Sequence, residues 1–254
     1  MEKLFIKNRK GLKVAVVVDE AENQKGLVFL MHGFLGFKED PLLKEVATIF
    51  KENNYTTILF DATSSLGESD GKMEDGTMTG YFEDLEDVID WAKSQNFYTE
   101  PFFLVGHSLG GYCSANYEIN HHNVKGLILF SSVVSGKLLQ ETEDIKSILE
   151  EWKRIGIREW KSHLNLGVIK RSGYAFIEDG MNHDLLKSAE NIKCPVLMIG
   201  GENDIVVPIE QQKMLFDKIK SKKEFYVIKN ADHYLREKEN LEELYIIVNN
   251  WIKS

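Results

Sequence analysis

The sequence has little cysteine. Two thiols, Cys113 and Cys194, occur in 254 residues, with no CxxC spacing. That argues against a disulfide framework and predicts a reducing compartment, the cytoplasm, with both thiols packed as small core side chains. Long apolar runs are also missing, since none approaches the roughly 18 residues of a membrane span. The opening "MEKLFIKNRKGLKV" has no signal-peptide core, so no export signal is expected. Basic blocks are absent from a chain of net charge -9, which argues against nucleic acid as a partner and reads as solubility. No two histidines take the i, i+4 spacing of HExxH, so no metal motif is present. Internal repeats and low-complexity segments are lacking too.

What is present is ordinary for a globular protein: 43% hydrophobic and 28% charged residues, at a length that suits one α/β domain with an insertion. Short runs rich in Val, Ile, Leu and Phe predict strands at 4–7, 13–18, 27–31, 56–60, 102–105, 127–131, 195–199 and 225–229. Most are continuously apolar, as strands covered on both faces are. Helical patterns lie between them. Asp40-Pro41 is a cap and first-turn pair, "GYFEDLEDVIDWAKS" carries one apolar stripe, Pro208 opens another helix, and "LEELYIIVNNWIK" is the last. Alternation of strands and helices predicts a mostly parallel sheet wrapped on both faces. The 63-residue stretch 132–194 is too long for a simple crossover. It predicts a cap inserted at 135–190 into a core of 1–134 and 191–254. The cap should hold a helix over 141–156 and a hairpin within 166–179, turning near Ser172-Gly173.

"GHSLG", Gly106 to Gly110, fits G-x-S-x-G with a strand before it and a helix after it. Ser108 would sit on a strained turn, with the helix amides favouring negative charge beside it. A serine needs a base, and the base needs an orienting acid, each at the end of a later strand. Asp204 follows "PVLMIGG" and His233 follows "FYVIKNAD". Glu202 and Asp232 are the competing acids. The first lies early in its turn, and the second reads as shaping the His233 loop. His107 reads as packing or hydrogen-bonding locally, His121 and His122 as solvent-facing, and His163 and His183 as part of the cap. After "LVFLM", His32-Gly33 would turn the chain so that the Phe34 amide, with that of Leu109, forms an oxyanion hole. His32 and Gly33 are candidate substrate contacts. Trp152, Trp160, Tyr174 and Phe176 are candidates for the pocket wall or for the cap's own small core.

These motifs resemble the α/β-hydrolases across nearly the whole chain. Within them, "HGFLGFKED", "GESDGKMEDGT" and "GHSLGG" are most similar to cinnamoyl (feruloyl) esterases. The resemblance implies an eight-stranded sheet in the order 1-2-4-3-5-6-7-8, a Ser-His-Asp triad, no cofactor, and a small-molecule ester as partner. Oligomeric state stays open, a homodimer being one option. The same triad serves monoacylglycerol lipases, thioesterases and serine peptidases, and the fold also serves non-catalytic binding proteins. One departure stands out. The family reads D-x-x-G-x-G-x-S after the fourth strand, whereas "DATSSLGES" is one residue longer and lacks the first glycine. That loop is expected to border the site and alter substrate shape.

Overall fold

The computed structural model describes residues 2–162 and 167–254. The chain opens with β1 (Glu2–Lys7) and β2 (Lys13–Asp19), an antiparallel pair joined at Asn8, whose side chain accepts from the amides of Lys10 and Leu12. β3 (Gly26–Met31), α1 (Pro41–Glu52), β4 (Tyr55–Phe60), α2 (Met78–Ala92), β5 (Phe102–His107), α3 (Leu109–His121) and β6 (Val124–Phe130) follow. After an insertion come β9 (Val196–Gly201), α8 (Ile209–Lys218), β10 (Lys223–Ile228) and α9 (Lys238–Trp251). The insertion holds α4 (Gly136–Gln140), α5 (Glu143–Lys146), α6 (Leu149–Ile155), β7 (Ile157–Lys161), β8 (Ile169–Gly173) and α7 (Ala175–Gly180).

Eight strands form one sheet in the order β1-β2-β4-β3-β5-β6-β9-β10. This is the α/β-hydrolase order, once β7 and β8 of the insertion are passed over. Every neighbouring pair from β4 to β10 is parallel; β2 meets β1 and β4 antiparallel. The alternation of side chains divides the core. On β3, Leu27, Phe29 and Met31 pack on one face with α2 and α3, while Val28 and Leu30 pack on the other with α1 and α9. Both faces of the central strands are buried, which is why they read as unbroken apolar runs. The Asp40 cap forms as expected, its carboxylate accepting the Leu42 amide at 3.0 Å.

Two details of the insertion differ from the sequence reading. The helix expected over 141–156 is broken into α5 and α6 around Ser147-Ile148. Gly156, at φ +84°, then ends α6 and leads directly into β7. The hairpin expected within 166–179 is replaced by one that pairs 157–161 with 169–173: Ser172-Gly173 is the far end of β8, paired with Arg158 and Ile157, and the residues expected as the second strand form α7. The strands are joined on the other side, where residues 163–166, including His163, lie outside the described residues. Gly173 is needed for close approach: a Cβ there would overlap the Glu74 carbonyl. The insertion is tied to helices α2 and α3 through His183. Its Nδ1 meets the Tyr112 hydroxyl of α3 at 3.0 Å, and its Nε2 meets Thr79 Oγ1 of α2 at 2.9 Å. No helix among the described residues is long and apolar enough to cross a membrane.

Candidate active site

Ser108 stands between β5 and α3 at φ +54°, ψ −115°. This backbone costs on the order of 1–3 kcal/mol and persists only where its surroundings over-determine it. They do here. The Ser108 amide donates to the Phe130 carbonyl at 2.9 Å, and its own carbonyl accepts from the amides of Gly111, Tyr112 and Val133 at 3.1–3.2 Å. The flanking glycines make the turn possible. A Cβ on Gly106 would overlap the Gly110 backbone, and one on Gly110 would overlap the Met31 carbonyl of β3.

The loop after β9 carries Asp204, and the loop after β10 carries His233; both are buried. His233 Nδ1 lies 2.9 and 3.0 Å from the two Asp204 oxygens. Because a carboxylate accepts, Nδ1 carries a proton, and in the neutral tautomer this selects, Nε2 keeps its lone pair. Asp204 Oδ1 is itself fixed by the amides of Val206 and Val207 at 2.9 and 2.8 Å. The competing acids are occupied elsewhere. Glu202 accepts the Asn230 amide, and Asp232 accepts those of Tyr234 and Leu235, which shapes the loop. Among the described residues, neither Ser108 Oγ nor His233 Nε2 has a protein hydrogen-bond partner. Such contacts are commonly open without substrate and tighten in the complex.

Ser108 and His233 border one cavity of about 680 Å³, which Gly33, Phe34 and Leu109 also line. Gly33 is so close that a Cβ there would lie 2.9 Å from that of Ser108. No protein acceptor takes the Phe34 or Leu109 amide among the described residues. The Phe34 ring stacks on Phe176 of α7, centroids 3.8 Å apart, joining this loop to the insertion. Trp152 and Trp160 form part of the wall, with Trp152 Nε1 donating to the Ser172 carbonyl. Val133, Leu139, Ile145 and Val206 supply further apolar lining, and the largely exposed Ile205 stands at the mouth.

Three expectations about this region are corrected. His32 is not in the cavity wall. Its Nε2 accepts the Ala62 amide at 3.0 Å, which leaves Nδ1 as the donor to the Gly33 carbonyl at 2.7 Å. Both nitrogens are spent holding the loop, and burial pushes the imidazole's pKa down. Tyr174 also lies behind the wall, edge-on to Trp152 at 6.3 Å. The loop "DATSSLGES" does not line the cavity either. It folds around Asp61, which is fully enclosed and accepts from the Lys38 amide at 2.7 Å, the Glu68 amide at 2.8 Å and Lys38 Nζ at 2.8 Å. Burial opposes the charge on Lys38, but Asp61, Glu68 and Glu39 outweigh it and raise the ammonium's pKa.

His107 has a part that sequence adjacency alone could not assign. Its Nε2 donates to the His233 backbone carbonyl at 2.9 Å, and the two rings lie 4.9 Å apart. Burial, reinforced by His233, lowers the His107 pKa to about 4, so its ring is neutral at neutral pH. The sequence reading also missed most of the charged part of the wall: Arg158, Lys161, Lys170 and Arg236 with Asp40 and Asp144, beside the Asp232 already considered. These are single charges scattered along the chain, and no motif marks them.

Comparison with known proteins agrees with the fold. The profile of the family described as serine aminopeptidase, S33 (Hydrolase_4), matches residues 22–172 and 171–239. The mitochondrial palmitoyl-protein thioesterase ABHD10 of Bos taurus is 26% identical over 229 residues, 89% of this chain and 72% of that one. Mouse α/β hydrolase domain-containing protein 10 superposes with a TM-score of 0.82 at 23% identity, covering 100% of this chain and 99% of its own. Est1E from Butyrivibrio proteoclasticus, with ferulic acid bound, gives 0.81 at 22% identity, covering 98% and 97%. At these identities the two structures speak for the fold.

Proposed function

The chain belongs to the serine aminopeptidase S33 family of α/β hydrolases, and on that premise we propose that it is a serine hydrolase acting on carboxylic esters. The observation that carries this reading is the strained Ser108 elbow sharing one cavity with a His233 whose Nδ1 is bound to Asp204. In the proposed mechanism, His233 Nε2 takes the Ser108 proton as Oγ attacks the ester carbonyl. Asp204 holds the ring in the required tautomer and stabilises its charged form. The Phe34 and Leu109 amides receive the oxyanion, each contributing about 2.7–4 kcal/mol to the transition state. His233 returns the proton to the departing alcohol, and water repeats the sequence on the acyl-enzyme. Residues 135–190 act as a cap, and Trp152, Trp160, Phe34 and Phe176 give an acyl pocket suited to aromatic acids of the feruloyl type.

A second reading, thioester hydrolysis, has one observation in its favour: the bovine relative is a palmitoyl-protein thioesterase. The apolar lining from Val133 to Ile145 suits an aliphatic chain equally well. Two buried free thiols are in keeping with the cytoplasm, and equally with the mitochondrial setting of that relative. The deciding experiment is fluorophosphonate labelling, followed by turnover of p-nitrophenyl esters, aryl esters, acyl thioesters and aminoacyl amides. Wild type should be labelled at Ser108 and favour esters, and Ser108→Ala should do neither while remaining folded. Turnover of amides alone would overturn the ester assignment, and an unlabelled but folded wild type would leave a non-catalytic binding protein.

A further inference from the structure

The charged part of the cavity wall does not balance. Among its acids, Asp144 is held by the Arg158 guanidinium at 3.1 Å, and Asp40 by Arg236. Asp232 is committed to the two amides of its own loop. Two lysines of the wall remain: Lys161 is exposed to solvent, whereas Lys170 is left over partly out of water. It is half-buried on β8, directly across from Trp160 on β7, and lines the cavity with Arg236. No carboxylate lies within 4 Å of its ammonium among the described residues, and residues 163–166 contain no acid in their sequence. An ammonium taken partly out of water without a counter-charge is unfavourable, and a cleft is where such a group points to a ligand.

Resting on the reading of the site as an ester hydrolase, we propose that Lys170 is a specificity residue that binds a carboxylate carried by the substrate. The preferred substrate is therefore an ester with a free carboxylate on its acyl or its alcohol part, seated against Trp160 while the scissile carbonyl meets Ser108. The groups facing the ammonium set its proton affinity. Burial and then Arg236 lower its pKa to about 8, against the opposing pull of Asp40. Arg158 shares its face of the hairpin but is neutralised by Asp144; Arg171 and Glu159 pair on the opposite face, with Glu74 near Arg171 and the exposed Lys161 beside them, and the buried His32, which Lys170 also acts on, has its pKa lowered by burial. Lys170 is charged below about pH 8 and neutral above it, so the preference for an anion is present at pH 7 and lost by pH 9.5. Because kcat/KM reports the free enzyme, it shows this titration directly.

The test compares each anionic ester with its neutral methyl-capped counterpart. Mono-p-nitrophenyl glutarate places the carboxylate on the acyl side, and 4-carboxyphenyl butyrate places it on the alcohol side. At pH 7 one pair should give an anionic-to-neutral kcat/KM ratio above tenfold, and the pair that does so names the side. That ratio should fall at least tenfold in Lys170→Met, and equally in wild type between pH 7 and pH 9.5. Lys170→Arg should keep most of the ratio and hold it at pH 9.5, because a guanidinium stays protonated. Calorimetric titration of Ser108→Ala with the glutarate monoester reads the same preference without turnover, and Lys170→Met in that background should abolish it. Turnover of the neutral esters with a ratio near one in both pairs would overturn the subsite and leave the hydrolase reading standing. A high ratio untouched by Lys170→Met would overturn it too. Lys170-dependent binding without turnover of any ester would instead overturn the hydrolase reading alone.

Discussion

Replacement of Asp204 by asparagine separates orientation from packing at this site. Oδ1 accepts two backbone amides, from Val206 and Val207, so the side-chain oxygen of an asparagine is bound to stay there. Its NH2 group then falls at the position of Oδ2, 2.9 Å from His233 Nδ1. An NH2 donates and opposes a proton on Nδ1, while Oδ1 at 3.0 Å already takes two amides, so the expected outcome is that Nδ1 becomes the acceptor and the ring proton moves to Nε2. In the proposed mechanism the nitrogen that receives the Ser108 proton is then blocked. A triad held in the wrong tautomer loses about 10⁴ in kcat, or roughly 5.5 kcal/mol of transition-state stabilisation. The turn retains both amide bonds, so the urea midpoint should stay within about 1 kcal/mol of wild type. Steady-state ester turnover, fluorophosphonate labelling rate and urea unfolding measure the three quantities. A variant retaining a tenth or more of wild-type kcat would refute the reasoning and return Glu202 or Asp232 to consideration.

Two further outcomes follow from buried charge. Lys38→Met strips the counter-charge from the enclosed Asp61 and should cost about 3–5 kcal/mol in urea unfolding, whereas Lys3→Met, which loses only an exposed pair with Glu68, should cost under about 1 kcal/mol. Similar losses in both variants would show that burial is not what makes the Lys38 pair matter. His107 has its pKa lowered from 6.5 to about 4, so its contribution is complete above pH 6.5 and declines as the unfolded chain takes up a proton first. Wild type should therefore lose roughly 2–3 kcal/mol more than His107→Phe between pH 6.5 and pH 4.5, read from urea midpoints at the two values.

The parts of the molecule legible in the sequence are those where one residue type answers one geometric demand. Gly106 and Gly110 could be read because two backbones pass where a Cβ would stand, and Asp204 and His233 because each follows an apolar strand. The hairpin turn was misplaced because a Ser-Gly pair ordinarily marks a turn. Here Gly173 answers instead to the Glu74 carbonyl, a contact about a hundred residues away that no local pattern records. His32 was read as a substrate contact because it precedes the oxyanion turn, yet both its nitrogens are engaged by backbone groups on either side of it. Lys170 was invisible for a different reason: what distinguishes it is that three acids in the same cavity are already taken, a property of the folded charge arrangement and not of any segment.

The stacking of Phe34 on Phe176 has a consequence for how this enzyme can change. In the proposed mechanism one residue offers its amide to the reacting carbonyl, while its ring stacks on the insertion that lines the pocket. Substitutions in α7 that enlarge or reshape the binding space should therefore also shift the amide proposed to receive the oxyanion. Selectivity and turnover are mechanically geared to each other here, so a search for altered substrate range should begin at Trp160 or Lys170, where the wall can be changed without moving the catalytic amide.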